Sequence, residues 1–260
     1  MLERLRDKRM VLVGNSLNRN QWSPLPVFST PPSLHLRLEL IPKSHTYKVL
    51  KVKDYNFTLE FYWSPFIIEL DEKNESGSKV LNLDKLPATS EQWRGADIMD
   101  LFQHQGKLID DMPIEQAFKL GMETWERWVS NNLDPKKSTL FFGGISPEHQ
   151  TQWCYNSTQP AFDEPYASKF PNSLIETIEG LIEKMNENTI VVNYMNITKL
   201  SQYRRDAHPS IYSSMQWEDG LEKLDLRAFA DCSQRCLPGL PDTWNRLLHA
   251  SLLFDSSGDV

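Results

Sequence analysis

The tripeptide Gly14-Asn15-Ser16 holds the first hydroxyl whose surroundings suit a nucleophile. It follows the apolar run Met10-Val11-Leu12-Val13, which predicts a buried strand, and it precedes residues 17–22, which suit a first helical turn. Glycine permits close approach of a substrate, and amide groups at a helix start can face a developing oxyanion. The hydroxyl still needs a base, because serine is a weak nucleophile by itself. An ordinary turn or helix cap is the alternative interpretation.

Two further regions contain candidate functional groups. Residues 231–239 combine Asp231, Cys232, Gln234 and Cys236 in one short polar stretch. In the run 205–209, Asp206 could orient His208 or bind a sugar, while a structural role is the alternative. The remaining candidates for lining a sugar groove are Arg204, His149 and Trp153, and for His149 a solvated loop position is equally compatible with the sequence.

Aromatic faces offer apolar area to sugar rings, so the eight tryptophans are candidates for sugar binding. Burial is the prediction for those in predicted helices and strands, namely Trp63, Trp125, Trp128 and Trp244. Trp153 and Trp217 lie in predicted loops and are better candidates for a groove. The histidines and cysteines show no usual metal-ligand spacing, so no metal site is predicted.

The elements that would position these groups alternate between helix and strand. Apolar residues recur at helical spacing after Pro113, which is predicted as the first residue of a helix, and again before residues 186–188. The first set is Ile114, Ala117, Phe118, Met122, Trp125 and Val129, and the second is Leu174, Ile175, Ile178, Leu181, Ile182 and Met185. Strands are predicted at 47–52, 58–63, 139–142 and 190–195, the first two as a hairpin. Asp242 predicts the cap of a last helix ending near Phe254. This order predicts one α/β domain over residues 1–260, with a parallel sheet covered on both faces.

Composition excludes several classes of protein. The chain has 260 residues, 40% of them hydrophobic, so a sizeable core can form. The net charge is −7 with scattered basic residues, which makes nucleic acid an improbable partner. No apolar run is long enough to span a bilayer, and the first 22 residues lack the order of a signal peptide. Four glycosylation sequons, at Asn56, Asn74, Asn156 and Asn196, matter only if the chain enters the secretory pathway. Three cysteines permit one bridge, with three buried thiols as the alternative.

Five blocks along the chain resemble, in order, those of the plant trichome birefringence-like proteins, polysaccharide O-acetyltransferases with an SGNH/GDSL-type fold. The stretch from Asp231 to Leu248, DCSQRCLPGLPDTWNRLL, is similar to the C-terminal signature of that family. The other blocks are MLERLRDKRMVLVGNSLNRNQW at the start, DYNFTLEFYWSP from Asp54, ISPEH from Ile145 and NITKLSQYRRDAHPSIY from Asn196. The resemblance implies a three-layer α/β sheet of the SGNH-hydrolase type.

The resemblance also implies roles for individual residues. Ser16 stands where the family serine is acylated, Gly14 and Asn15 stand in its turn, and Asp231 stands where a carboxylate orients the base. Gln234 occupies the histidine position, and glutamine cannot accept a proton in that role. Two more departures point to impaired activity. Asn15 replaces the family's acid, and residues 97–102 stand where its Asn-Thr-x-x-Trp-Trp block is expected.

Further expectations follow from the resemblance alone. Cys154 should bridge Cys232, and the partner of Cys236 should lie in an N-terminal portion that the family has and this sequence lacks, together with a membrane anchor. The implied compartment is the Golgi lumen, with no bound cofactor, an acetyl donor of unknown identity and a polysaccharide acceptor, xylan being the expected one. Association with other acetylation proteins is a further implication. The alternatives are an inactive protein that binds polysaccharide or a partner, and a truncated gene product.

Overall fold

The computed structural model describes residues 2–23, 36–72, 79–102, 112–147, 154–161, 172–188, 190–212 and 230–254. Within these ranges the strands are β1 Arg9–Gly14, β2 Leu38–Pro42, β3 Tyr47–Val52, β4 Phe57–Trp63, β5 Glu69–Asp71, β6 Val80–Asn82, β7 Ile98–Phe102, β8 Thr139–Gly143 and β9 Val192–Met195. The α-helices are α1 Ser16–Trp22, α2 Ile114–Asn132, α3 Asn172–Asn188, α4 Thr198–Gln202 and α5 Leu240–Phe254. Short 3₁₀ helices cover Leu2–Leu5, Lys53–Tyr55, Ala88–Trp93 and Arg205–Ala207.

Seven strands form one sheet in the order β2-β3-β4-β1-β7-β8-β9. The five strands from β4 to β9 run parallel, with Gly14 of β1 opposite Trp63 of β4. Strand β3 runs antiparallel to both β2 and β4. The sheet is therefore mixed rather than wholly parallel, because a tight hairpin connection can only join antiparallel strands.

The two faces of the sheet are covered by different helices, which gives the predicted three-layer α/β architecture. Alternation along β1 places Val11 and Val13 on one face and Met10 and Leu12 on the other. The first face packs against α2 and α3, and the second packs against α1 and α5. Apolar burial on both faces explains why these strands are almost continuously hydrophobic.

The predicted helices agree with the structure except at two starts. Met122, Trp125 and Val129 of α2 are buried, but α2 begins at Ile114, so Pro113 is its cap residue and not its first residue. Helix α5 begins at Leu240, so Asp242 is not its cap but its third residue. The Asp242 carboxylate reaches back and accepts a hydrogen bond from the Gly239 amide across 2.6 Å. An acidic side chain at the third position satisfies a free amide at the helix start as well as a cap does.

The carboxyl ends of the parallel strands meet at one edge of the sheet. This edge carries the residues that follow β1, β8 and β9, including Ser16, Ser146 and helix α4. Ligands of open α/β sheets bind beyond this edge. Among the helices in the described ranges, none is long and apolar enough to cross a membrane.

Candidate active site

Ser16 is the first residue of helix α1 and lies just beyond the end of β1. Asn15 precedes it, and the Asn15 Oδ1 accepts a hydrogen bond from the Leu17 amide across 2.9 Å. Through this bond Asn15 caps the helix, and the residue is buried. Ser16 keeps part of its surface exposed. The predicted nucleophile therefore stands at the edge beyond which open α/β sheets generally bind their ligands.

Gln234 contacts Ser16 directly, although 218 positions separate them in the sequence. The Gln234 Nε2 donates a hydrogen bond to the Ser16 Oγ across 2.7 Å. A neutral carboxamide has no nitrogen lone pair that could take up the hydroxyl proton. The structure thus brings the serine and the position implied for the base together, with a group that cannot act as a base.

Asp231 shapes the turn that carries Gln234. Its Oδ1 accepts three hydrogen bonds of 3.0 Å, from the Ser233 amide, the Ser233 hydroxyl and the Gln234 amide. Its backbone pairs with that of Ser210 through two bonds of 3.0 Å. Asp231 therefore acts on residue 234 through the backbone.

Residues 231–236, here called the site segment, are held by a buried arginine. Arg235 is 2% exposed, and it donates hydrogen bonds to the carbonyls of Arg204, Pro147 and Ser201 across 2.9, 3.0 and 3.4 Å. Its Nε also contacts the Ser146 hydroxyl across 3.3 Å. Burial lowers the pKa of the Arg235 guanidinium to about 9, and the nearby charge of Arg204 adds to that lowering. Arg235 thereby ties the site segment to the loops that follow β8 and β9.

Other contacts of the site segment come from residues around position 208. His208 is 5% exposed, and its Nδ1 donates to the Gln234 carbonyl across 2.6 Å. The Cys236 amide donates to the Ala207 carbonyl across 2.9 Å. A disulfide joins Cys154 to Cys232 with their Cα atoms 5.6 Å apart, which is the pairing that the resemblance implied. Cys236 is a free thiol, and burial raises its pKa.

The groove residues expected from the sequence divide into two groups. Arg204 forms a two-bond ion pair with Asp206, at 2.8 and 3.0 Å, so both oxygens of that carboxylate accept from the guanidinium. His149, Trp153 and Trp217 lie outside the described residues. Trp125 and Trp244 are fully buried as expected, while Trp63 and Trp128 are only half-buried. Trp63 lies at the end of β4 beside the site.

Sequence reasoning missed a buried polar cluster beneath helix α1. Asp100 of β7 is fully buried, and its Oδ2 accepts from the Gln21 Nε2 across 3.3 Å. Gln21 also accepts from Asn18, and its carbonyl accepts from Asn245 of α5. Burial raises the pKa of Asp100 to about 7, while the Gln21 hydrogen bond opposes that rise. One sequence feature could have revealed this cluster: Asp100 is a carboxylate flanked by apolar residues, in a sheet predicted to be covered on both faces.

The arrangement at this edge suits the predicted nucleophile, because it offers one position for a base. A serine hydroxyl lies beside a fixed loop, and a single position of the site segment, residue 234, donates to its oxygen. A base at that position would be within reach of the hydroxyl proton. Separately, the described ranges contain no group of three or more histidine, cysteine, aspartate or glutamate side chains placed to hold a metal ion.

Comparison with known proteins gives a consistent set of relatives. The model of PC-Esterase, described as a GDSL/SGNH-like acyl-esterase family found in Pmr5 and Cas1p, matches residues 1–101 and 99–251. Protein trichome birefringence-like 1 of Arabidopsis thaliana is 36% identical over 97% of this chain and 50% of its own length. Probable xylan O-acetyltransferase 8 of Oryza sativa subsp. japonica is 34% identical over 97% of this chain and 64% of its own length.

A third relative is xylan O-acetyltransferase 3 of Oryza sativa subsp. japonica, which is 30% identical over 98% of this chain and 63% of its own length. The chain thus spans about half to two thirds of the length of these relatives. One solved structure, the large terminase of a thermophilic bacteriophage, covers 77% of this chain and 36% of its own at 14% identity. Its TM-score of 0.29 is too low to support any argument.

Proposed function

Because the chain belongs to the PC-Esterase family of GDSL/SGNH-like acyl-esterases, we propose that it is an O-acetyltransferase-type protein of plant cell-wall polysaccharide. We propose xylan as the acceptor, since relatives 30 to 34% identical to the chain are named xylan O-acetyltransferases. The proposed compartment is the Golgi lumen, and association with other acetylation proteins belongs to the same proposal. The proposed reaction also requires an activated acetyl donor.

One observation supports the site assignment, namely the 2.7 Å hydrogen bond between Gln234 and Ser16. In the proposed reaction the Ser16 oxygen attacks the acetyl carbonyl, the donor leaves, and a serine ester forms. A sugar hydroxyl then attacks that ester and regenerates the serine. Each half-reaction needs a group that takes the proton from the attacking hydroxyl and passes it to the leaving group, which is that of the donor in the first half-reaction and the Ser16 oxygen in the second. Within the described ranges, the residue at position 234 is the one that bonds to this hydroxyl.

In this proposal, the glutamine at position 234 limits the rate of acetyl transfer. Loss of the catalytic histidine from a serine hydrolase triad costs about 10⁶ in turnover, while the remaining site still gives some acceleration. We therefore propose that this chain transfers acetyl groups slowly, and that the missing base is the reason. The Asn15 change contributes little, because asparagine and aspartate cap helices about equally well.

The test restores the base. De-acetylated xylo-oligosaccharides and p-nitrophenyl acetate are incubated with the wild-type protein, Gln234→His, and Gln234→His combined with Asn15→Asp. Acetylated product is measured by mass spectrometry. We expect at least about a hundredfold gain in Gln234→His, the usual contribution of a positioned base, with little more in the double variant. The matched control is Gln234→His combined with Ser16→Ala, which should lose the gain. A folded Gln234→His protein without gain, or a gain that survives loss of Ser16, would overturn the proposal.

A second candidate function is binding of polysaccharide without transfer. The observation that favours it is that Gln234 donates to Ser16 and so occupies the hydroxyl oxygen. Equal binding of xylo-oligosaccharides by the wild-type protein and Ser16→Ala, with no acetyl transfer by either, would select this function. Measurable Ser16-dependent transfer by the wild-type protein would exclude it.

A further inference from the structure

Asp100 lies in the middle of β7, beneath the helix that carries Ser16. Its Cα is paired with those of Leu12 in β1 and Phe141 in β8, so apolar residues flank it on both sides within the sheet. Ile98, two residues earlier in β7, packs on the face that α1 and α5 cover, and alternation along the strand turns Asp100 to that same face. Helix α1 therefore covers Asp100 and also supplies, through Gln21, the donor of its hydrogen bond.

The polar cluster around Asp100 contains more acceptors than donors. Its other members, Asn18 and Gln21 of α1 and Asn245 of α5, are fully buried as well. The Oδ1 atoms of Asn18, Asp100 and Asn245 accept no hydrogen bond from any described residue. A neutral carboxyl group can donate a hydrogen bond, whereas a carboxylate can only accept. Protonated Asp100 thus adds a donor to a cluster that is short of donors, and ionised Asp100 adds none.

Among the described residues, no charged group offsets the charge of an ionised Asp100. The ionisable residues of the two covering helices are Arg19, Asp242, Arg246 and His249. None of these four contributes to the pKa of Asp100, which burial raises and the Gln21 hydrogen bond lowers. Ionised Asp100 is therefore a buried charge without a counter-ion, and such a charge is stabilised only if water reaches it.

Movement of helix α1 is the easiest way for water to reach Asp100. Strand β7 lies between β1 and β8 and cannot move without breaking the sheet. Helix α5 has 15 residues, whereas α1 has only seven and depends on packing for its stability. Because Ser16 is the first residue of α1, movement of this helix takes the serine out of its contact with position 234.

We propose that protonated Asp100 is a positioning residue for Ser16: the neutral carboxyl lets α1 lie against β7, and its ionisation releases α1 together with the serine. The inference rests on the proposed function for the role of Ser16, while the release of α1 is a property of the fold. A mildly acidic solution therefore favours the arrangement in which Ser16 contacts Gln234, and an alkaline solution opposes it.

Amide hydrogen exchange of the full chain at about pH 5 and about pH 8 tests the release. Each exchange rate is divided by the intrinsic rate at that pH, which gives protection factors for α1 and for α2, the reference for unfolding of the core. The pKa of Asp100 is about 7 in the folded protein and 3.8 for an exposed aspartate. The protection of α1 should therefore fall about a hundredfold between the two pH values, and α1 should be less protected than α2.

Two variants identify the group responsible for the fall in protection. Asp100→Asn has no charge to release and should show no fall in the protection of α1. The control Asp84→Asn, at an exposed position, should behave as the wild-type protein does. Equal protection of α1 and α2 at both pH values would show that α1 opens only when the whole protein unfolds, and would overturn the inference. Protection of α1 that does not change with pH in the wild-type protein, or a fall that persists in Asp100→Asn, would overturn it as well.

An activity measurement links the release to Ser16 and separates this inference from the proposed function. The rate of acetyl transfer by Gln234→His should decline above about pH 7, and adding Asp100→Asn should remove that decline. A decline that is unchanged by Asp100→Asn overturns the positioning role. Release of α1 without transfer by Gln234→His at any pH overturns the acetyltransferase proposal alone. Transfer by Gln234→His with pH-independent protection of α1 overturns this inference alone.

Discussion

Asn20 donates a hydrogen bond from its Nδ2 to the Arg235 carbonyl across 3.1 Å, which joins the middle of helix α1 to the site segment. Asn20 lies one helical turn after Ser16, and Arg235 follows Gln234 in the chain. Beside the hydrogen bond between Ser16 and Gln234 there is thus a second bond between α1 and the site segment, and this one is accepted by a backbone carbonyl. The position of residue 234 is consequently fixed by contacts that do not involve its own side chain. A different side chain there should meet Ser16 in the same place.

The first prediction concerns the anchor of that arrangement. Replacing Arg235 with methionine keeps much of the volume but removes the donors to the carbonyls of Pro147, Ser201 and Arg204. Leaving buried carbonyl groups without donors costs about 1 to 3 kcal/mol each, less whatever relaxation recovers. We expect the free energy of unfolding of Arg235→Met to fall by about 3 kcal/mol in urea titrations followed by tryptophan fluorescence.

The control for this prediction is Arg4→Met, an exposed arginine that also donates to backbone carbonyls, those of Leu252 and Leu253. Exposed substitutions of this kind usually change stability by less than about 0.5 kcal/mol. Similar losses in both variants would show that Arg235 is no anchor of the site segment.

The disulfide gives a second prediction. The chain has three cysteines, and Cys154 and Cys232 are bonded, so one thiol should react with an alkylating reagent before reduction and three after it. Cys232→Ser should lower the free energy of unfolding by about 4 kcal/mol, because the bond closes a long loop. Cys236→Ser is the control and should leave stability unchanged while abolishing the thiol that reacts in the native protein. Three reactive thiols in the folded wild-type protein would contradict the bond.

Patterns that depend on neighbouring residues predicted much of the fold from the sequence. The apolar spacing of α2 and α3 places one face of each helix on the sheet, and that spacing is visible in the sequence. The β3–β4 hairpin was likewise predicted from strand residues around a turn. The start of α5 was predicted wrongly, because an aspartate can satisfy a helix start from either the cap or the third position, and the sequence does not distinguish them.

Features that depend on contacts between residues distant in the sequence could not be predicted from local patterns. In the sequence Arg235 has the surroundings of a solvated loop residue, since the carbonyls that bind it come from segments about 30 to 90 positions away. Asp100 looks like a polar interruption in a strand, and only the packing of α1 and α5 shows that it is buried. The resemblance alone implied that Ser16 and position 234 meet, and the order of the strands was not predicted.

A third prediction tests the cap of helix α1. Asn15→Ala removes the acceptor of the Leu17 amide and should cost about 1 kcal/mol of stability, whereas Asn15→Asp keeps an acceptor and should stay within about 0.5 kcal/mol of the wild-type protein. Thermal unfolding of the two variants measures the difference. Asn131→Ala, at an exposed position of α2, serves as the neutral control. A loss in Asn15→Asp as large as in Asn15→Ala would show that the amide group itself, and not an acceptor oxygen, is required.

The last prediction follows from the buried carboxyl of Asp100, whose pKa rises from 3.8 to about 7 because burial disfavours its charged form. Between about pH 4 and pH 7 the folded protein holds a proton that an unfolded aspartate has released, so stability falls as pH rises through that interval. As the pH rises from about 5 to about 8, this group should lower the free energy of unfolding by about 2 to 3 kcal/mol. Asp100→Asn keeps an acceptor for Gln21 and carries no charge. In urea unfolding, its free energy of unfolding relative to that of the wild-type protein should therefore be higher at pH 8 than at pH 5 by about 2 to 3 kcal/mol. The control Asp84→Asn, at an exposed position, should have the same free energy of unfolding as the wild-type protein at both pH values. An unchanged difference between Asp100→Asn and the wild-type protein would mean that Asp100 is ionised, and therefore reached by water, throughout the range.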